Sequence, residues 1–195
     1  MTHTIAPPPI KFRFAPKKCL QAVQWMLLTA NKPLDFQTIL KTAYFADKRM
    51  LNEHGRPIFG TTYRAMNYGP VPVEVYEMLK EEPYYLSELD MNSYPWKREN
   101  GHRVSLIDSD PNHRNTLLDL DSIAEKDMVI LKEEFDRSRK MNFDQRTRET
   151  HRMDWSNGMK RPDNRIAYED MIADDNPNRE EILEYLISMG LRIVF

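Results

Sequence analysis

The spacing of apolar residues predicts two amphipathic helices near the start of the chain. Leu20, Val23 and Leu27 share one face of the first helix, which should end near Asn31. The second helix follows Asp35, a residue type that caps helix starts through its side-chain oxygen. Its apolar stripe comprises Phe36, Ile39, Leu40, Ala43, Tyr44, Met50 and Leu51. Both helices should therefore turn one face toward a core.

Glycine and proline residues then separate strands from helices. Residues 61–67 alternate and contain β-branched and aromatic types, which predicts a strand. After a break rich in glycine and proline, residues 73–82 are expected to form a third helix. Residues 94–98 and 103–107 flank Asn100-Gly101, a dipeptide that strongly favours a tight turn between antiparallel strands. We therefore expect a β-hairpin at this position.

Capping signals mark the helices of the second half. Ser122 and Glu125 have the spacing of a capping box, which predicts a fourth helix starting one residue after the serine. Asn142 and Gln145 repeat this arrangement ahead of a fifth helix that should run to about Met153. Further helices are predicted over residues 168–172 and, after Asn178, up to Gly190.

These elements predict a mainly α (α+β) fold with a small antiparallel β element. A chain of 195 residues is large enough to bury a substantial core in one domain. We assign residues 17–195 to that domain. Residues 1–16, which include Pro7-Pro8-Pro9, are predicted to form an extended arm that orders on contact with a partner.

Composition narrows the class of protein and its partners. The 28 basic and 30 acidic residues give a net charge of -2, so nucleic acid is not favoured as a partner. No apolar run approaches the roughly 20 residues that a membrane-spanning helix needs, and no membrane partner is expected. Cys19 is the single cysteine and cannot form an internal disulfide. A cytoplasmic location fits it best.

The polar residues do not predict a catalytic, cofactor or metal site. The five histidines lie apart from the spacing of a helical zinc site, and the six glycines form no phosphate-binding loop. Asp47 is the one charge on the apolar stripe of the second helix, so it must find a buried partner. A hydrolase or transferase site built from Asp47, Tyr63 and His151 is the least favoured alternative because their spacing demands no reactivity.

Basic residues are densest in the fourth and fifth predicted helices. Arg137, Arg139, Arg146 and Arg148 belong to this segment, but acidic residues are interspersed among them. A solvated helix pair is therefore the favoured interpretation. The alternative is a regulator that binds DNA, with the hairpin of residues 94–107 as a wing and the basic helices on phosphate.

Residues 40–79, LKTAYFADKRMLNEHGRPIFGTTYRAMNYGPVPVEVYEML, resemble the signature of the Panacea domain, also called the SocA-like antitoxin domain. In that family a Tyr-Phe-Ala-Asp helix leads into a Gly-Arg-Pro turn and then a Tyr-Gly-Pro-Val-Pro turn. The later segment THRMDW resembles the family's Thr-His helix end followed by a tryptophan. The matching motif residues, expected to be structural or to lie at an interface, are Tyr44, Asp47, Gly55, Arg56, Pro57, Gly60, Tyr63, Tyr68, Gly69, Pro70, Val71, Pro72, His151 and Trp155.

The resemblance implies a function that depends on surface rather than chemistry. Panacea domains are antitoxins of bacterial and phage toxin–antitoxin pairs that neutralise the toxin of the adjacent gene by direct protein contact, and one member delivers its toxin to a protease as an adaptor. By this resemblance the partner here is a cognate protein toxin, and the protein is not an enzyme. A flexible arm and a charged patch are suited to toxin contact, so we expect it at Phe12, Phe14, Arg137, Arg139, Arg146 and Arg148.

Overall fold

Nine helices and eight short strands make up the part of the chain that the structure describes. In this computed structural model those residues are 9–107, 120–189 and 192–193. The helices are α1 (Pro16–Ala30), α2 (Phe36–His54), α3 (Val73–Leu79), α4 (Tyr84–Glu88), α5 (Glu125–Lys140), α6 (Phe143–Thr150), α7 (Met153–Lys160), α8 (Tyr168–Met171) and α9 (Arg179–Met189). The prediction of a mainly α fold is confirmed.

The strands form three small sheets. They are β1 (Phe12–Arg13), β2 (Leu34–Asp35), β3 (Tyr63–Met66), β4 (Gly69–Pro72), β5 (Trp96–Glu99), β6 (Arg103–Leu106), β7 (Arg165–Ile166) and β8 (Arg192–Ile193). Two sheets are antiparallel, with the strand orders β2-β6-β5 and β4-β3-β7, and β1 pairs with β8 in parallel. The predicted hairpin is confirmed as β5 and β6, which Asn100, Gly101 and His102 connect with a φ of 74° at the glycine.

Helix α2 is the central element of the fold. It contacts α3, α5, α6, α8 and β4, and α5 is its most extensive neighbour. Asp35 caps it as predicted, because its Oδ1 accepts the backbone N–H of Thr38 at 2.7 Å. Its buried side chains contribute to two hydrophobic clusters, one shared with α1, α3, α5 and the β5–β6 hairpin and the other with β3, α8 and α9.

The break between β3 and α3 differs from the prediction. Gly69–Pro72 forms the edge strand β4, which pairs with Tyr63–Met66 of β3, and α3 ends at Leu79. Proline has no N–H to donate to a neighbouring strand, which restricts it largely to sheet edges, and β4 is such an edge. The prolines therefore limit the pairing of this segment to one side without preventing it.

Two predicted helix boundaries are wrong. Helix α5 starts at Glu125, and its N-cap Ala124 makes no side-chain capping bond. Ser122 lies two residues before this N-cap, in a turn that Gln21 holds to α1, and its Oγ donates to Asp121. The fifth helix ends at Thr150 rather than near Met153, because the backbone leaves helical geometry and α7 then begins. The Asn142 and Gln145 capping box, in contrast, is confirmed in full.

Residues 9–15 lie against the body of the protein. The backbone N–H of Ala15 donates to the carbonyl of Phe59 at 3.0 Å, and Ile10 is buried. The ring of Phe12 contacts Tyr168 edge to face at 4.6 Å between centroids. The part of the predicted arm before residue 9 lies outside the described residues, and the division of the chain at residue 16 stays a prediction.

Candidate functional site

Asp47 connects the middle of α2 to the segment that follows the helix. Its carboxylate is fully buried, and Oδ1 accepts the backbone N–H groups of Ile58 at 2.8 Å and Phe59 at 2.9 Å. Its Oδ2 accepts the hydroxyl of Tyr63 at 3.0 Å. The charge that the sequence placed on an apolar stripe is thus used to hold the next turn and the start of β3 against the helix.

Burial has the largest effect on the pKa of the Asp47 carboxylate. It raises the pKa of Asp47 from 3.8 to about 7, although the two backbone N–H donors, Tyr63 and the distant Lys18 act in the opposite direction. Burial also raises the pKa of Tyr63 and Tyr168 well above the usual tyrosine value. The group therefore serves as an acceptor enclosed in protein and not as an open acid or base.

The Gly-Arg-Pro turn is fixed from both sides. Gly55 ends α2 in the left-handed conformation with a φ of 66°, where glycine has no steric penalty. The Arg56 guanidinium then reaches Asp127 of α5 at 2.6 Å, and Lys18 of α1 donates to the other oxygen of that carboxylate at 2.9 Å. Asp127 is fully buried, so the turn and two helices share one compensated charge cluster. Pro57 and Gly60 continue the same turn and are buried.

A second buried pair connects α2 to α7. The hydroxyl of Tyr44 donates to Oδ2 of Asp154 at 2.5 Å, and the half-buried Lys48 lies 3.1 Å from the same oxygen. Burial and Asp154 raise the pKa of Tyr44 well above its usual value. The sequence analysis did not identify Asp154. Its position directly before Trp155, within the THRMDW segment, could have indicated it.

The tip of the β3–β4 hairpin approaches α2 and α6 closely. Gly69 has a φ of 96°, and a Cβ at this position would lie 2.3 Å from Oγ1 of Thr150 and 2.9 Å from Nζ of Lys41. Lys41 is almost fully buried and donates to the carbonyl of Pro70 at 2.7 Å. Burial, with a smaller contribution from Arg146, lowers the pKa of Lys41 to about 7. The hairpin glycine is therefore required by both its conformation and its surroundings.

His151 and Trp155 lie against the same hairpin. Their rings stack at 3.8 Å between centroids with an angle of 4°, and Nε1 of Trp155 donates to the carbonyl of Met66 at 2.9 Å. Burial and the nearby Lys41 lower the pKa of His151, which favours the neutral imidazole. Tyr68 at the hairpin tip contacts the ring of Phe143 edge to face at 5.1 Å. The two motif segments of the sequence are thus brought together at this hairpin.

The predicted contact arginines occupy different environments. Arg137 pairs with Glu134 and Glu149, and Arg139 lies 3.4 Å from Asp136. Arg148 is exposed, and the role of these three residues in binding stays a prediction, as it does for Phe12 and Phe14. The ring of Phe14 packs on Tyr85 at 5.4 Å.

Arg146 was assigned to the exposed basic patch, and this placement is wrong. Its side chain is 7% exposed and bonds to Gln37, Asp35 and the carbonyls of Ser138 and Met141. Its guanidinium therefore connects the middle of α6 to the end of α5 and the start of α2.

The structure shows no single site made by Asp47, Tyr63 and His151, the residues of the suggested hydrolase or transferase site. Asp47 is bonded to Tyr63, whereas His151 is stacked on Trp155 at the hairpin. Within residues 9–107 and 120–189, no group of three or more His, Cys, Asp or Glu side chains is placed to hold a metal ion. The helices in the same ranges include none long and apolar enough to cross a membrane.

The fold and these contacts define a mainly helical domain whose buried polar residues hold turns and a small hairpin in place. The sequence model of the family described as "Antitoxin SocA-like, Panacea domain" matches residues 39–156, and the chain belongs to this family. Searches of curated proteins and of solved structures find no match. Membership in an antitoxin family implies a toxin as the general kind of partner and indicates a non-enzymatic regulator.

Proposed function

We propose that the protein is the antitoxin of a bacterial or phage toxin–antitoxin pair and neutralises the toxin encoded by the adjacent gene through direct binding in the cytoplasm. The observation that carries this proposal is the family match over residues 39–156. The contacts of the motif side chains support the proposal, because Tyr44, Asp47 and Arg56 form bonds within the protein. Neutralisation through binding requires an exposed surface and no reactive group.

The test is growth rescue followed by measurement of a complex. The neighbouring reading frame is expressed from an inducible promoter with and without this protein, and the two products are then co-purified. We expect growth arrest, rescue by the protein, and a stable complex. A neighbour that does not affect growth, or rescue without association, would contradict direct neutralisation.

Neutralisation could proceed by blocking the toxin or, as an adaptor, by delivering it to a protease. The two routes differ in the amount of toxin that remains. Blocking leaves the toxin level unchanged during rescue, whereas delivery shortens its half-life, and this decay should stop when the responsible protease is deleted. Immunoblots of the toxin after translation is halted therefore distinguish the two routes in the rescued cells.

A basic cleft favours a second function, DNA binding that regulates the protein's own operon. The cleft has a volume of about 680 Å³, and its charged lining consists of Lys32, Asp35, Arg103, Arg139, Lys140 and Arg146. Arg103 belongs to the β5–β6 hairpin that the sequence suggested as a wing, and Arg139 and Lys140 belong to the basic end of α5. Hairpin and helix thus contribute cations to one concave surface, as phosphate contacts require.

Binding to a fragment of the protein's own promoter tests this second function. Affinity should fall steeply as salt rises, because phosphate contacts release counterions. Lys140→Glu should weaken binding at every salt concentration, whereas Lys126→Glu at the opposite end of α5 serves as the matched control. No binding of the wild-type protein to this fragment would contradict the second function, and binding that neither salt nor Lys140→Glu weakens would contradict phosphate contacts at the cleft.

A further inference from the structure

We infer that the toxin docks on an exposed aromatic platform formed by Met66, Tyr68, Phe143, Met153 and Trp155, an inference that rests on the proposed function. The platform combines the β3–β4 hairpin with the starts of α6 and α7. None of its members is among the residues that the sequence suggested for toxin contact, although Phe143 begins the helix that carries Arg146 and Arg148.

Four members of the platform are large, apolar and exposed to solvent, and the fifth, Trp155, is partly buried. The exposed fractions are 50% for Met66, 64% for Tyr68, 44% for Phe143 and 62% for Met153. Contiguity is given by the ring contact of Tyr68 with Phe143 and by the bond from Trp155 to the Met66 carbonyl. Aromatic residues and methionine are enriched at protein interfaces, and tyrosine and tryptophan are frequent hot spots there.

The platform is held rigidly by buried contacts beneath it. Gly69 packs against Thr150 and Lys41, so the hairpin tip cannot move toward the helices. The Asn142 capping box fixes the start of α6, and therefore the backbone of Phe143. A preorganised surface loses less conformational entropy when it binds, which favours affinity. This rigidity distinguishes the platform from exposed side chains at free loop ends.

The charges at the platform define the partner that fits it. Arg64 lies two residues before Met66 on the outward face of β3, and its guanidinium donates to the carbonyl of Asp163 at 2.6 Å. A carbonyl fixes a cation without cancelling its charge. The occupant is therefore a toxin surface with an apolar depression and carboxylates at its edge.

Other charges near the platform are paired or of opposite sign. Arg152, between His151 and Met153, lies 3.4 Å from Glu149, and Asp144 is exposed beside Phe143. The positive edge is thus centred on Arg64.

The experiment measures the affinity of purified variants for the product of the adjacent reading frame. The platform variant carries Tyr68→Ser and Met153→Ser. The control carries Tyr84→Ser and Met189→Ser, which have similar exposed fractions of 77% and 55% but lie outside the platform. Thermal unfolding confirms that each variant is folded. We expect the platform variant to bind at least about 30-fold more weakly and to lose growth rescue, with the control unchanged.

A further variant and the oligomeric state complete the test. Arg64→Glu should slow association more than it speeds dissociation, because an edge charge mainly steers encounter. Retained binding by the platform variant, or equal weakening in the control, would overturn the platform while leaving direct neutralisation intact. Failure of the wild-type protein to bind its neighbour would overturn both proposals. A wild-type dimer that the platform substitutions dissociate would assign the surface to a second copy and overturn the toxin as its occupant.

Discussion

The Asp47 carboxylate should be among the largest single contributors to stability in this protein. Replacing it with alanine leaves the N–H groups of Ile58 and Phe59 without their acceptor and the hydroxyl of Tyr63 with only the long 3.4 Å contact to the carbonyl of Ala43. A buried donor without a partner costs about 1–3 kcal/mol, so the two N–H groups alone predict a loss of about 2–6 kcal/mol. Total stabilities of about 5–15 kcal/mol are typical, and Asp47→Ala should therefore remove a large share of the free energy of unfolding.

Asparagine at position 47 separates the loss of hydrogen bonds from the loss of charge. Its side-chain oxygen can still accept both backbone N–H groups, so Asp47→Asn should cost about 1–2 kcal/mol. Urea unfolding followed by circular dichroism provides the free energies. Asp136→Ala on α5, where a partly exposed carboxylate forms only surface ion pairs, is the control and should stay within about 0.5 kcal/mol of wild type. An Asp47→Ala protein within about 1 kcal/mol of wild type would refute the reasoning.

The same residue predicts a dependence of stability on pH. Because burial raises the pKa of Asp47 from 3.8 to about 7, the folded protein binds this proton more tightly than the unfolded chain. The stabilisation from the proton is complete below about pH 4 and is lost as the pH rises to about 7, by up to about 4 kcal/mol. The stability of wild type relative to Asp47→Asn should thus fall over this range. A difference that stays constant with pH would contradict a raised pKa.

Three further predictions concern the hairpin, the caps and the buried lysine. Gly69→Ala should lower the free energy of unfolding by more than about 2 kcal/mol, because the new Cβ meets neighbouring side chains. Gly101→Ala, which has open space around it, should lower it by about 1 kcal/mol, and urea unfolding compares the two variants. Asn142→Ala removes the α6 capping box and should lower the free energy of unfolding by about 1 kcal/mol. Ser122→Ala should lower it by less than about 0.5 kcal/mol, because Ser122 caps no helix. Equal losses would contradict the assigned caps. Lys41 has a lowered pKa of about 7, so stability should rise as the pH increases from about 7 to 10, and Lys41→Met should flatten this rise in thermal unfolding.

The sequence was most informative where local chemistry decides the structure. Asp35 as an N-cap and Asn100-Gly101 as a hairpin turn depend on neighbouring residues alone, and both are confirmed. The expectation that Asp47 must find buried partners is also confirmed. Ser122 had the correct spacing for a cap, but Gln21 of the distant α1 accepts its backbone N–H in a turn before the helix, and its hydroxyl donates to the neighbouring Asp121.

The environment of Lys41 could not be predicted because it is made by distant parts of the chain. Nothing adjacent to this residue in the sequence indicates burial, since it becomes enclosed only when the hairpin at Gly69 and the end of α6 at Thr150 meet over α2. Arg146 illustrates the same point, because its acceptors lie on α2 and at the end of α5. The density of basic residues along the sequence indicated a basic surface, but tertiary contacts bury Arg146, which is therefore not part of that surface.

Asp47 of the motif is buried and Tyr68 of the platform is exposed, so substitutions of the two residues should have different effects, which one pair of variants can measure. Asp47 holds the start of β3, so its substitution should lower the fraction of folded molecules without changing the affinity of each folded molecule for the toxin. Tyr68 is exposed at the tip of the same hairpin, so its substitution should lower affinity without lowering stability. Titrations of Asp47→Asn and Tyr68→Ser at a temperature where both are folded separate the two effects. If the Asp47→Asn protein were folded and still bound its toxin as weakly as Tyr68→Ser, the buried network would have to shape the binding surface as well as support it.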